Sequence, residues 1–155
     1  MNIAKLNEDR GLARPDVTKL IYGEREISNR EIAGEGRKLA AALKKLGVQR
    51  GDRVIVQTPN CPEVLYAFSA AWRLGAVIVP INYLIGEEET AYIYQDSGAR
   101  VVISSKLFWT KIQACRQKAP DVAAVILIED DAPEGTFAYR ALVGAAGEET
   151  QIVDT

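Results

Sequence analysis

The chain has 155 residues, with 19 Lys plus Arg against 21 Asp plus Glu and no histidine. A hydrophobic share of 48% beside 26% charged residues belongs to a chain that can bury one core, which excludes disorder. The formal net charge of −2 offers no basic excess to nucleic acid or an anionic lipid surface, and the missing histidine excludes His-based triads, His general bases and imidazole metal sites.

The opening stretch MNIAKLNEDRGLARPD lacks an apolar h-region and is not a secretory signal. Residues 1–17, polar and irregular, are expected to form an extended arm. Lys19 to Ser28 carries two short β-prone pieces around Gly23 and Glu24, which predicts a small hairpin. Ser28 and Glu31 fit a capping box at the start of a helix. The spacing of Ile32, Gly36, Leu39, Leu43 and Leu46 predicts one apolar helical face, with Gly36 allowing close backbone approach and Gly47 placed as the C′ glycine.

From Gly51 onward, strands and helices alternate. The expected strands are Arg53 to Gln57, Ala76 to Ile81, Arg100 to Ile103 and Val122 to Ile128. The expected helices are Pro62 to Leu74, Glu87 to Asp96 and Lys106 to Lys118. The near-continuous apolar strands predict an α/β fold, a doubly wound, mostly parallel sheet with helices on both faces. Glu129 to Gly135 reads as a turn, Tyr139 to Ala146 as a short helix, and Glu148 to Thr155 as a tail without a closing strand. Val64 to Ile81 is apolar except for Ser69 and Arg73, but a central arginine, Gly75 and Pro80 exclude a membrane span. The helix from Pro62 is apolar nearly all round. It therefore expects a partner, either more polypeptide or a second copy docking through exposed apolar surface.

Ligands of a doubly wound sheet bind beyond the carboxyl ends of its strands. The residues expected there are Gln57 to Asn60, Asn82 to Leu84, Ser104 to Lys106 and Glu129 to Asp131. No GxxxxGK[ST] and no GxGxxG occurs, and Gly34 and Gly36 lie inside a helix, where they serve packing. Asn60 reads as an N-cap and Asn82-Tyr83 as a turn with a packed ring. Glu129, Asp130 and Asp131 could hold Mg²⁺ but read as a solvated turn, and Lys106 as a solvent-facing helix start. Cys61, at a strand-to-helix turn, has no histidine to serve as its base. Cys61 and Cys115 stand apart in sequence, which excludes a CxxC pair and a zinc site and fits a reducing, cytoplasmic setting. No catalytic, cofactor-binding or metal-binding residue is assigned.

The run from Gly47 to Ser105 closely resembles the adenylate-forming acyl-CoA synthetases, the AMP-dependent synthetase and ligase family. Ile32, Leu39, Leu43, Gly47, Val48, Gly51, Asp52 and Val54 match a first block of its pattern. Asn60, Pro62, Glu63, Gly75, Ala76, Pro80 and Asn82 match a second, and Glu89, Asp96, Ser97 and Ala99 a third. The resemblance implies a much longer parent that activates a carboxylic acid, fatty or aromatic, with ATP and Mg²⁺ and passes the acyl group to coenzyme A. Overall likeness favours fatty acyl substrates. On this reading, residues 18–155 are the N-terminal α/β portion of an AMP-binding ligase domain, cut before its phosphate loop. The fragment is expected to be inactive and to carry none of these cofactors itself. The alternative is a free-standing, non-catalytic α/β interaction module derived from the same family. A receiver-like or flavin-binding domain is disfavoured, because Gln57-Thr58-Pro59 supplies neither an acidic pair nor a Ser/Thr-rich loop.

Overall fold

The β-branched runs pair as the alternation predicts. The computed structural model describes residues 3–154, and β3 (Arg53–Gln57), β4 (Val77–Pro80), β5 (Val101–Ser104), β6 (Ala124–Leu127) and β7 (Phe137–Ala138) form one sheet in the order β4-β3-β5-β6-β7. Every pairing within it is parallel. β5 and β6 are buried along their whole length, as strands covered on both faces must be. Alternate side chains serve two cores: Val54, Val101, Ile103 and Ile126 face one, while Ile55, Val102, Val125 and Leu127 face the other.

Helices α3 (Pro62–Arg73) and α6 (Tyr139–Gly144) cover the first face, and α4 (Glu87–Ser97) and α5 (Trp109–Lys118) the second. The long amphipathic α2 (Asn29–Lys45) packs against α3 and α6. Ser28 caps it by accepting a hydrogen bond from the Glu31 amide at 3.2 Å. The reciprocal half of the capping box is redirected, because the Glu31 carboxylate takes a hydrogen bond from the Tyr66 hydroxyl and an ion pair from Arg25. Gly47, with φ +85°, closes α2 as predicted. The hairpin β1 (Thr18–Tyr22) and β2 (Arg25–Ser28) is antiparallel and turns at Gly23, φ +60°.

Three expectations need correction. Residues 3–13 are a helix, α1 (Ile3–Ala13), packed on α2 and α3, where the sequence suggested an extended arm. Lys106–Phe108 is a single 3₁₀ turn preceding α5. Phe137–Ala138 adds a short fifth strand to β6. Residues 148–154, the described part of the tail, carry no regular structure, as expected, but they are anchored. Arg37 bonds Glu148 at 2.9 Å, and the Val153 amide donates to the Arg73 carbonyl at 2.8 Å.

Arg73, whose charge disqualified the apolar run as a membrane span, is 3% exposed. Its guanidinium pairs with Glu8 of α1 and donates to the Thr150 carbonyl at 3.0 Å. Burial depresses its pKa, against the pull of Glu8. No helix among the described residues is long and apolar enough to cross a membrane.

Candidate functional site

The carboxyl ends of β3, β4, β5 and β6 lie along one edge of the sheet, where the ligand of such a fold belongs. Gln57, the last residue of β3, is completely buried there. Its carboxamide accepts from the Tyr94 hydroxyl at 2.8 Å and donates to Thr90 Oγ1 at 3.4 Å. Ser104 at the end of β5 donates to the Gln57 carbonyl, and Thr90 donates to the Gly86 carbonyl at 2.8 Å. The network pins α4 to the end of the sheet, and its four side chains are fully buried and each hydrogen-bonded within the protein, so they are spent on structure. Tyr94 and Thr90 had no signal in the sequence beyond a polar Gln ending an apolar strand.

The acidic turn behind β6 splits in two. Glu129 accepts from Ser105 Oγ at 2.6 Å and from the Lys106 amide at 2.8 Å, stapling the β5 and β6 loops together. Asp130 and Asp131 are exposed, as a solvated turn predicts, and pair with Arg140 and Lys106. Lys106 stays exposed at the start of its 3₁₀ turn, as expected, and pairs there with Asp131, whose carboxyl its hydrogen bond holds below the usual carboxylate range. The donor set does not fit Mg²⁺, since the one half-buried carboxylate is committed to two protein donors. No cluster of three metal-ligating side chains occurs among the described residues.

Asn82 turns the chain as expected, its Oδ1 accepting from the Leu84 amide at 3.0 Å. The Tyr83 ring packs on Phe108 with centroids 5.3 Å apart, and Lys111 donates to the Tyr83 and Ile85 carbonyls at 2.8 and 2.9 Å. Asn60 is exposed and is not the N-cap of α3. That position falls to Cys61, with φ −151° and no side-chain cap bond, because a residue before proline is held extended.

Burial and the nearby Glu63 push the Cys61 thiol up to about 11. That is the opposite of an activated nucleophile. Alkylation of Cys61 by iodoacetamide is accordingly expected to be slow at pH 7.5 and to accelerate steadily up to about pH 11, measured by mass spectrometry. A rate that levels off near pH 7 would show a reactive thiolate instead. No phosphate cradle, base-nucleophile pair or metal set is assembled along the edge by the described residues.

The comparisons with known proteins place this geometry. The family model described as AMP-binding enzyme matches residues 8–151. The chain is similar to an indoleacetate–CoA ligase of Aromatoleum aromaticum, 32% identical over 134 residues that make up 86% of this chain and 26% of that ligase. It is also similar to a long-chain-fatty-acid–CoA ligase of Bacillus subtilis, 32% identical over 74% of this chain and 20% of the ligase. Among solved structures, an anthranilate CoA ligase in complex with anthranoyl-AMP superposes with a TM-score of 0.93 at 27% identity, covering 99% of this chain and 30% of that one. The chain thus spans 20–26% of the length of these two curated relatives. With the blocks from Gly47 to Ser105 carried on the predicted parallel sheet, the chain belongs to the AMP-binding enzyme family.

Proposed function

We propose that the chain is the N-terminal portion of an ATP-dependent carboxylic acid–CoA ligase acting in the cytoplasm on a fatty or aromatic acid. The observation that carries this reading is the match over residues 8–151, against CoA ligases of which the chain covers 26% and 20%. Such a ligase converts the acid with ATP and Mg²⁺ to an acyl-adenylate and then transfers the acyl group to the thiol of coenzyme A. The residues present fit a scaffold for that chemistry rather than its site. The carboxyl edge is closed by its own hydrogen bonds, and the groups that hold ATP, Mg²⁺ and coenzyme A are assigned to later polypeptide.

Both acid classes are represented among the relatives, an indoleacetate ligase and a long-chain-fatty-acid ligase. Acid-dependent ATP–pyrophosphate exchange tests the reading. The 155-residue chain is expected to show none, and the longer product of the same reading frame to show exchange with fatty or aromatic acids. Exchange by the short chain alone would overturn the assignment of catalysis to later polypeptide. A reading frame that stops after Thr155 would favour the interaction-module alternative.

A further inference from the structure

Two segments far apart in sequence share the outer surface of α2 and α3: the helix α1 and the tail of residues 148–154. Neither is held by much apolar burial. α1 buries only Ala4 and Gly11, and none of the tail residues 148–154 is buried. Segments of this kind occupy the low-stability end of a fold and open locally before the core does. What seats them is polar, and they share it.

Arg37 of α2 and Arg73 of α3 each divide their donors between the two segments. Arg37 gives Nη1 to Glu8 of α1 at 3.2 Å and Nε to Glu148 of the tail at 2.9 Å. Arg73 gives Nη2 to the other Glu8 oxygen and Nη1 to the Thr150 carbonyl at 3.0 Å. The main chain at the same two residues also holds the tail. The Arg37 carbonyl accepts from the Glu149 amide at 3.1 Å, and the Arg73 carbonyl from the Val153 amide at 2.8 Å. A flexible arginine loses its side-chain entropy once, when a first partner fixes it. A second partner then meets a guanidinium already aimed, so its own docking is favoured. Arg73 adds to the effect because it is buried. A buried guanidinium deprived of Glu8 is driven toward water, and so away from the Thr150 carbonyl.

We propose that α1 and the tail dock cooperatively, as one latch closed by Arg37 and Arg73, so that order in one segment sustains order in the other. The latch stands on this side-chain geometry alone. Its consequence for regulation rests on the proposed ligase reading: the tail then leads toward the catalytic polypeptide, and a molecule that lifts α1 would loosen that junction.

Amide hydrogen exchange of the 155-residue chain, followed by NMR, tests the coupling in both directions. Glu8→Gln keeps the shape of the side chain and removes its charge. It is expected to speed exchange of the Glu149 and Val153 amides on the order of 10-fold. Glu148→Gln is expected to speed exchange of the α1 amides of residues 8–11 by a comparable factor, because linked equilibria are reciprocal. Ile103→Val, in β5 within the sheet, makes none of these contacts. It is expected to leave both sets of rates unchanged, since they report local opening.

α1 amides that exchange at the parent rate in Glu148→Gln overturn the proposal in favour of independent docking. Slower exchange of the tail amides in Glu8→Gln also overturns it, because Arg73 would then have turned wholly to Thr150. Acceleration of both segments by Ile103→Val overturns it by showing that they open only with the whole fold. ATP–pyrophosphate exchange by the longer product tests the ligase reading separately, so the latch and that reading fail independently.

Discussion

Glu8→Ala is expected to lower stability by about 3 kcal/mol, since removing one partner of a buried ion pair leaves the other charge uncompensated. For a domain of this size that corresponds to a loss of roughly 6–12 °C in melting temperature. Glu8 joins three helices: one carboxylate oxygen pairs with Arg73 of α3 and the other with Arg37 of α2, at 3.2 Å. Without it, the buried Arg73 guanidinium keeps the Thr150 carbonyl at 3.0 Å, while its Nε has no hydrogen-bond partner among the described residues.

The double replacement Glu8→Leu with Arg73→Met removes both charges, and it is expected to cost less than Glu8→Ala alone. Thermal unfolding followed by circular dichroism compares the three proteins. A Glu8→Ala chain melting within about 2 °C of the parent would mean that α1 is only loosely seated. The same clamp holds the tail, whose Glu149 is kept below the usual glutamate range, foremost by its hydrogen bond from Lys44. A carboxylate depressed in the folded state stabilises above its unfolded pKa. That contribution fades as the pH falls through its folded value, so the tail loosens on acidification.

This junction also shows why α1 could not be read from the sequence. Its large apolar residues, Ile3, Leu6 and Leu12, are exposed, while its buried residues are Ala4 and Gly11. The face that docks consists of small residues, the Asn7 carboxamide and the Glu8 carboxylate, so hydrophobic periodicity had nothing to detect. The sheet was legible for the converse reason: β5 and β6 are apolar runs buried on both sides, and their neighbours follow from connection rules. Phe137–Ala138 is too short to carry a period of two.

At the carboxyl edge, the dependence on tertiary register was complete. Glu129 staples Ser105 and Lys106 only because β5 and β6 lie side by side, Ser104 opposite Leu127. A local reading of EDDAPEG as a solvated turn therefore describes Asp130 and Asp131 but misplaces Glu129. Cys61 was locally decidable, because Pro62 forces its predecessor into the extended N-cap position.

The two glycines of α2 are expected to respond to alanine with opposite signs, although the sequence assigned both to packing. A Cβ at Gly36 would lie 2.7 Å from Ser69 Cβ on α3, closer than two carbons can approach, whereas a Cβ at Gly34 would meet only Arg37 Nη2, at 3.9 Å. Gly34→Ala should stabilise the chain by about 1 kcal/mol through helix propensity. Gly36→Ala collects the same propensity but must separate α2 from α3 or displace Ser69, for a net loss of about 1 kcal/mol. Gly36→Val, bulkier and β-branched, should lose about 3 kcal/mol.

The strain is shared with α1, because Ser69 Oγ accepts a hydrogen bond from Asn7 at 3.3 Å. Pushing Ser69 aside therefore loosens two contacts. Ser69→Gly in the Gly36→Ala background returns room for one Cβ between the helices, so the pair should couple favourably by about 1 kcal/mol or more in a double-mutant cycle. Urea titration of the parent, Gly34→Ala, Gly36→Ala, Gly36→Val, Ser69→Gly and the Gly36→Ala/Ser69→Gly double variant measures each value. If Gly36→Ala raises the midpoint as Gly34→Ala does, then α2 and α3 are not held together by backbone approach at Gly36. In that case the apolar residues of α2, Leu39 and Leu43 among them, carry the contact alone.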